Sequence, residues 1–314
     1  MEKNMNQLAN IVSMYRKGAI KKPDFIKSVY SEHHQGLFDY ADYLSGTNIK
    51  KIEIEDGRVI MTSRDRGIRM ECAPGDHRIA PIEILNFSDY EKEESLMMDR
   101  LLRDGDTFFD VGANIGWYSI NMAVSRRNSK VFSFEPIPKT YNQLQRNISL
   151  NPNSNLIAKN FGFSNKNGNF TFHYYSEGSG NASLADLTGR PDIKIIQCEV
   201  QTMDHFSQVN NVNVDFIKCD VEGAELLVFQ GGINTISRDK PIIMAEILRK
   251  WSEKFNYDPN DIFLLFKKLG YEAYTADGLI LTLFDRMNTN TKETNFFFLH
   301  SDKHADLISA LTRR

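Results

Sequence analysis

Two groups of residues in this 314-residue chain have types and spacings suited to chemistry. The first runs Asp110, Val111, Gly112, Ala113, Asn114, Ile115, Gly116, Trp117, Tyr118, Ser119, and Glu135 with Pro136 follows nineteen positions after Gly116. Glycines let a ligand approach the backbone closely. Unpaired amides at a helix start favour a negative group. An acid ending the next strand can accept hydrogen bonds from both hydroxyls of a ribose. The pattern is that of a nucleoside site. The second group is Asp220, Glu222 and Glu225, three acids within six residues, with Glu246 further along. Such carboxylates can accept a proton from a hydroxyl, and Asp220 and Glu222 are also possible Mg²⁺ ligands, although no His lies near them in sequence.

The elements that must place these groups follow from local pattern. Thr107 to Val111 is a short run of β-formers, and Ile115, Tyr118 and Met122 then recur with helical spacing toward Arg126. Lys130 to Phe134 reads as the second strand, ending on Glu135. Pro138 starts a helix through Tyr141, Leu144 and Ile148, stopped by Asn151-Pro152. Leu156 to Phe163 reads as the third strand. Asn160 and Gly162 fall near its carboxyl end, where ligands of open α/β sheets bind and where an Asn or a backbone amide can read an adenine edge. Asp215 to Cys219 is the fourth strand with Asp220 at its tip, and Pro241 to Ile247 the fifth, ending near Glu246.

The glycine spacing bears on which nucleoside binds. A dinucleotide fingerprint is G-x-G-x-x-G and a P-loop is G-x-x-x-x-G-K-[ST]; neither occurs here. The form D-x-G-x-x-x-G, followed by a strand ending in Glu, resembles motif I of class I methyltransferases, which bind S-adenosylmethionine (SAM). Asp110–Ser119, Phe134-Glu135-Pro136, Val214–Glu225 and Pro241–Glu246, in that order, resemble the FkbM family of SAM-dependent O-methyltransferases over roughly residues 90–299. Cys219 departs from the aliphatic residue more usual there.

The resemblance implies a Rossmann-like α/β sandwich, a mostly parallel sheet with an antiparallel edge. It implies cofactor contacts from Asp110, Gly112, Ala113, Asn114, Gly116, Trp117, Tyr118, Ser119, Glu135, Pro136, Asn160, Gly162 and Asp220. Glu91 or Glu94, before a helix carrying Leu96 and Leu101, would hold the SAM ammonium. Asp220 would be base or hydroxyl orienter, with Glu222 binding the acceptor and Glu246 a weaker candidate. The implied reaction is methyl transfer to a hydroxyl, on a sugar of a glycan, glycolipid or glycosylated metabolite. The alternatives are a polyketide or peptide acceptor, or a fold that binds a glycan without turnover.

Composition sets the frame. The 41% apolar and 25% charged fractions are those of an ordinary globular chain, and a net charge of −3 argues against a general nucleic-acid binder. Met1 to Asn10 has no apolar core of a secretory signal, and no apolar run is long enough to span a membrane. Cys72, Cys198 and Cys219 are scattered and read as reduced core or near-core thiols in a cytoplasmic protein. Residues 1–86 precede the motifs. They read as helices and a hairpin (Lys50 to Ser63, turning at Asp56-Gly57) for acceptor recognition or homodimer contact, with residues 87–314 as the methyltransferase domain. Arg64, Arg66, Arg69, His77 and Arg78 form a cationic stretch that could face an anionic or glycosidic substrate. Gly178 to Ser183 reads as a mobile active-site loop.

Overall fold

The computed structural model describes residues 7–152, 155–175, 182–186 and 193–312. Three helices come first: α1 (Gln7–Arg16), α2 (Lys22–Val29) and α3 (Gln35–Ser45). Only Val29 among their residues is buried. Strands β1 (Ile49–Glu55) and β2 (Arg58–Ser63) form the expected hairpin. A third strand, β3 (Arg69–Cys72), extends it to a small antiparallel sheet. Helices α4 (Ala80–Phe87) and α5 (Lys92–Leu101) lead into the large sheet. The stretch 64–84 is therefore more ordered than its Arg, Asp and Pro content suggests. Neither β3 nor α4 has a periodicity strong enough to announce it.

The large sheet begins with β4 (Thr107–Val111), α6 (Trp117–Ser125), β5 (Lys130–Phe134), α7 (Pro138–Leu150) and β6 (Leu156–Lys159). The chain then leaves it. Strands β7 (Gly162–Phe163), β8 (Gly168–Tyr175) and β9 (Ile193–Gln201) make a separate three-stranded sheet. The expected single strand from Leu156 to Phe163 is thus two strands in two sheets, broken at Asn160. The expected loop Gly178–Ser183 lies outside the described residues up to position 181.

Helix α8 (Met203–Asn210) returns the chain to β10 (Phe216–Cys219), α9 (Glu225–Gln230), α10 (Ile233–Asp239) and β11 (Ile242–Glu246). A short α11 (Arg249–Ser252), α12 (Asn260–Lys268), β12 (Tyr271–Asp277), β13 (Ile280–Phe284), β14 (Asn295–His300) and α13 (Ala305–Leu311) complete it. Sheet order is β13-β12-β14-β11-β10-β4-β5-β6. The last five run parallel, and β14, β12 and β13 form the antiparallel edge. This is the expected class I methyltransferase sandwich.

Side-chain alternation decides what each face holds. Phe109, Val111, Ile217, Cys219, Ile243 and Ala245 pack with Phe206, Phe229, Ile262 and Phe266 on one face. Phe108, Phe216 and Met244 pack with Met98, Tyr118 and Met122 on the other. Asp110 and Lys218 share that second face and are register partners across β4 and β10. Two buried polar residues therefore meet near the carboxyl end of an otherwise apolar sheet.

The N-terminal sheet is fastened to α7 by amide side chains that imitate a strand. The Glu71 amide donates to Asn147 Oδ1 at 2.8 Å, and Gln143 Nε2 donates to the Glu71 carbonyl at 3.0 Å. Asn151 accepts from the Arg69 amide and donates to the Arg69 carbonyl, at 3.0 and 2.7 Å. Ile68, Met70 and Ile79 pack with Ile115 and Ile120 of the motif helix region. These contacts cross the expected 86/87 boundary and cover the edge of β3, which would otherwise expose unpaired backbone.

Asn147 is fully buried and also donates to the Ile115 carbonyl at 2.8 Å. Replacing it with Leu leaves a buried amide and a buried carbonyl without partners, at about 1–3 kcal/mol each. Urea denaturation of Asn147→Leu should therefore show roughly 2–5 kcal/mol lost stability; a loss under about 0.5 kcal/mol would contradict this fastening role.

Candidate active site

The turn after β4 is set by backbone requirements. Gly112 has φ +79°, and a Cβ built there would lie 1.8 Å from the Asp220 carbonyl oxygen. At Gly116, φ +96°, a Cβ would lie 2.4 Å from Leu144 Cδ1. At both positions the positive φ and the crowding by the neighbouring strand tip or by Leu144 of α7 favour glycine, and Gly112 also lines the cleft described below. The amides differ from expectation. Those of Gly112 and Ala113 both donate to the Phe134 carbonyl at 3.0 Å. The Asn114 amide donates to Glu135 Oε2 at 3.1 Å, and Glu135 Oε1 accepts from the Ile137 amide at 2.9 Å. The negative group held by this turn is the chain's own Glu135.

Glu135 is 5% exposed, and burial pushes its carboxyl up to about 7 despite those two amides. A carboxylate has roughly four acceptor positions. Two are taken here, so two hydroxyls can still be received. Beside it opens a cleft lined by Gly112, Asn114, Glu135, Pro136, Gly162, Phe163, Phe172, Leu184, Asp220 and Glu222 among others. Asn114 Oδ1 is buried on this wall without a hydrogen-bond partner. An apolar wall, an acid with free acceptor positions and an unpaired amide oxygen fit a nucleoside carrying a polar tail.

At the other end of the cleft lie the acids of the strand tips. Glu222 (φ +54°) and Gly223 (φ +100°) make a left-handed turn after Asp220. A Cβ on Gly223 would come within 2.9 Å of Phe255 and Trp251, so only glycine fits. Burial, then Asp220, raise Glu222 to about 8 and Glu246 to about 10. Glu225 is buried, not a surface acid. It caps the turn by accepting from the Val221 and Gly223 amides at 3.1 and 3.0 Å, and burial raises it to about 7.

Sequence reasoning gave Lys218 no role, yet it sits at the centre. Its ammonium lies 3.0 Å from Asp220 Oδ2, 3.5 Å from the Gly112 carbonyl and 3.9 Å from Asp110 Oδ1, over the Tyr118 ring at 5.2 Å. Burial works to lower this ammonium, but Asp220, Asp110 and Glu91 more than offset it and hold it above its ordinary value. The available signal was a lysine inside the apolar run Phe216–Cys219. Tyr90 was missed as well. Its ring lies against Trp117 and Tyr118, and it feels the charges of Glu91, Asp220 and Glu246. Phe172 and Leu184 reach the cleft from the excursion sheet and the segment after it, which no local pattern predicts. Ser183 there donates to the Glu222 carbonyl at 2.8 Å.

Other expected site residues stand elsewhere. Asp110 is fully buried beneath the cleft, accepting from Ser119 Oγ at 2.5 Å, while Ser119 accepts from Ser133 Oγ at 2.6 Å. Asn160 donates its amide to the Glu135 and Pro136 carbonyls at 2.8 and 3.1 Å, so it shapes the loop and does not leave that amide for an adenine. Trp117 and Tyr118 line a second cleft. Tyr118 donates to Glu91, and Glu94 accepts from Asn295 at 3.0 Å.

The basic stretch is largely consumed by structure. Arg64 donates to the Thr47 and Leu44 carbonyls, and Arg69 pairs with Glu53. Arg66 pairs with Asp99 beside the second cleft. Among the described residues no three His, Cys, Asp or Glu side chains are arranged to hold a metal ion. Cys198 and Cys219 are buried and Cys72 half-buried, all free. Among the described residues no helix is long and apolar enough to cross a membrane.

Comparison with known proteins places this geometry. The profile of the FkbM methyltransferase domain matches residues 110–273, just over half of the chain. "Methyltransferase 1" of Beauveria bassiana is 31% identical over 146 residues, 41% of this chain and 59% of that protein. The hexuronic acid methyltransferase AglP of Haloferax volcanii is 29% identical over 190 residues, 59% of this chain and 72% of that protein. The 2-O-methyltransferase NoeI of Sinorhizobium fredii is 27% identical over 146 residues, 42% of this chain and 59% of that protein.

The buried acids give the fold a pH dependence of definite sign. Glu135, Glu222, Glu225 and Glu246 have folded values of about 7, 8, 7 and 10 against 4.5 unfolded. Between these limits the folded chain binds more protons, so stability falls as pH rises. His304, pushed down by burial to about 4, acts oppositely, but only below its ordinary 6.5. Thermal or urea midpoints should therefore drop from pH 6.5 to 8, and Glu246→Gln should flatten the slope. A midpoint that rises over this window would refute the assignment of these acids as buried and protonated.

Proposed function

The chain belongs to the FkbM methyltransferase family, and we propose that it uses SAM to methylate a hydroxyl of a sugar in a glycan, glycolipid or glycosylated metabolite. The observation that carries this reading is the single cleft holding Glu135 at one end and Asp220 with Glu222 at the other. The names of AglP, a hexuronic acid methyltransferase, and NoeI, a 2-O-methyltransferase, support a sugar hydroxyl as acceptor. When bound, SAM supplies an electrophilic methyl group on a sulfonium.

The roles of the chain's own residues follow from their surroundings. Glu135 receives the two ribose hydroxyls on its unused acceptor positions, and Pro136, Phe163 and Phe172 supply apolar wall for the base. Gly112 ties the cofactor turn to the Asp220 carbonyl, fixing the distance between cofactor and acceptor sites. Such alignment supplies much of the rate in a displacement reaction. Asp220 accepts from Lys218 and lies beside Glu246, whose carboxyl it raises, yet retains acceptor capacity for an incoming hydroxyl. It orients that hydroxyl and takes its proton. Glu246, at about 10, keeps its proton at neutral pH and acts as a donor. Glu222 binds the acceptor.

Glu135 must be ionised to accept two hydroxyls. With a carboxyl near 7 in the free protein, SAM affinity should weaken as pH falls from 8 to 6. Glu135→Gln should bind at least about tenfold more weakly, since charge-assisted bonds contribute roughly 1.5–3 kcal/mol each, and should lose the pH dependence. Calorimetry that finds normal affinity in Glu135→Gln would remove it from the ribose site.

Asp220→Asn keeps the shape and removes the basicity. S-adenosylhomocysteine release in the presence of sugar acceptors should fall by about 10²–10⁴, with SAM affinity little changed. If Asp220→Asn keeps full activity and the wild-type rate instead rises with an ionisation near 8 that Glu222→Gln abolishes, then Glu222 is the base.

A further inference from the structure

The N-terminal helices bury almost nothing of their own. Of the residues in α1, α2 and α3 only Val29 is inaccessible, and α3 joins the core at its far end, where Leu44 packs with Ile49, Met61, Ile84 and Leu85. A five-residue π turn, Tyr30–His34, links α2 to α3 without leaving helical backbone. Val29 before it has φ −62° and ψ −40°, and Gln35 after it φ −59° and ψ −39°. Lys22 to Ser45 is therefore one rod, about 36 Å long at 1.5 Å per residue. Along it Ile26, Tyr30, Leu37, Phe38, Tyr40 and Tyr43 are all exposed, from 46% at Tyr43 to 64% at Phe38. Ile26 and Tyr30 stand one turn apart, as do Leu37 and Tyr40. Tyr40 meets Tyr43 with ring centroids 6.4 Å apart. At about 200 Å² for a large side chain, roughly 600 Å² of apolar surface is open on the rod. Exposed apolar surface of that extent marks an interaction site.

The charges on the same segment point to what covers it. Residues 16–27 carry Arg16, Lys17, Lys21, Lys22 and Lys27 against Asp24 alone, and residues 28–45 carry Glu32, Asp39 and Asp42 with no Lys or Arg. Among the described residues none of these side chains has an ion-pair partner. The arm is thus basic at one end and acidic at the other. We propose that it is a homodimer interface, in which the rods of two copies lie antiparallel across a two-fold axis. That arrangement sets the basic end of each rod against the acidic end of the other and covers apolar surface on both at once. It is self-complementary, as a closed two-fold contact must be. Roughly 600 Å² of apolar surface from each copy, with a polar rim, is close to the ~800 Å² that one partner gives to a standard interface. A bilayer fits this pattern less well. Asp39 and Asp42 alternate with Phe38, Tyr40 and Tyr43, so the acids would enter an anionic headgroup layer together with the rings. The inference uses no residue of the methyl-transfer site and goes beyond that reading.

Sedimentation equilibrium of the full chain between about 1 and 100 µM should give twice the chain mass. Leu37→Asp together with Tyr40→Asp should weaken association about a hundredfold, as loss of two apolar anchors does. Two sets of charge changes test the identity of the partner. Asp39→Lys with Asp42→Lys leaves both ends of the rod basic, and Lys21→Glu, Lys22→Glu and Lys27→Glu leave both ends acidic. All five positions are exposed, so these variants keep the fold. Each set alone should associate about tenfold or more weakly than the unaltered chain, and an equimolar mixture of the two should recover pairing at least as tight. A single chain mass throughout this range, a dimer indifferent to the Leu37 and Tyr40 changes, or a mixture that pairs no better than its components would overturn the inference. So would a single-mass chain that sediments with vesicles of phosphatidylcholine and phosphatidylserine, which assigns the arm to a membrane surface.

Discussion

The carboxyl end of this sheet depends on a buried ammonium among carboxylates. Lys218 and Asp110 are register partners on one face, both nearly inaccessible, and Asp220 is bonded to the same ammonium. Two acids this close in a desolvated place would repel strongly without a cation between them. With Lys218 in place, Asp110 can sit under the turn after β4, accepting from the Ser119 hydroxyl that itself accepts from Ser133, and Asp220 can stand at the strand tip. The same ammonium reaches toward the Gly112 carbonyl. One side chain therefore organises the motif acid, the turn after β4 and the acid at the tip of β10.

The turn and the strand tip are also joined sterically. The Asp220 carbonyl occupies the space where residue 112 would carry a Cβ, and the Asp220 amide donates to the Val111 carbonyl at 3.0 Å. Among the described residues, three of the eight non-glycine residues with positive φ are Glu91, Asn114 and Glu222, at +43°, +50° and +54°, and the last two line the first cleft. Such backbone is strained and persists only where its surroundings over-determine it. Here the surroundings are visible. Asn114 is held by Glu135, Glu222 by the Ser183 hydroxyl, and the Glu91 side chain by Tyr118.

Much of the architecture is readable in the sequence because it is written locally. Short β-branched and aromatic runs mark β4, β5, β10 and β11, and Gly112, Gly116 and Gly223 mark turns that tolerate nothing else. The acids Glu135 and Asp220 are found because they end strands. What escapes is what depends on partners distant in sequence. β3 is a strand because Asn147 and Asn151 of α7 cover its edge, and neither residue looks like part of a sheet. Residues 162 and 163 leave the main sheet because β9, more than thirty positions away, pairs with them. Glu225 reads in sequence as one of three clustered acids; that it caps the turn from inside is a property of the turn. Lys218 is an ordinary lysine until Asp110 is known to stand opposite. The arginines from 64 to 69 suggested substrate contact by their density, but density does not reveal that Arg64 and Arg69 are already engaged.

The protonation pattern gives these observations a common physical meaning. Glu135, Glu222 and Glu246 are held near or above neutrality chiefly because they are buried, so the free cleft carries far less charge than its acids would suggest. Protonation replaces the missing counter-charges. A ligand bearing positive charge beside Asp220, or hydroxyl donors on Glu135, favours the ionised forms of the same groups. Binding of such a ligand must then release protons, and its affinity must gain as pH rises, because the two equilibria are linked. An anionic ligand in this cleft would favour the protonated forms and couple with the opposite sign. The buried acids thus discriminate by charge before any specific contact is made, and they do so at the stated expense of stability above neutral pH. Lys218 sets the limit of this effect. Its ammonium keeps one counter-charge inside, 3.0 Å from Asp220 Oδ2, while Glu135, Glu222 and Glu246 hold their protons.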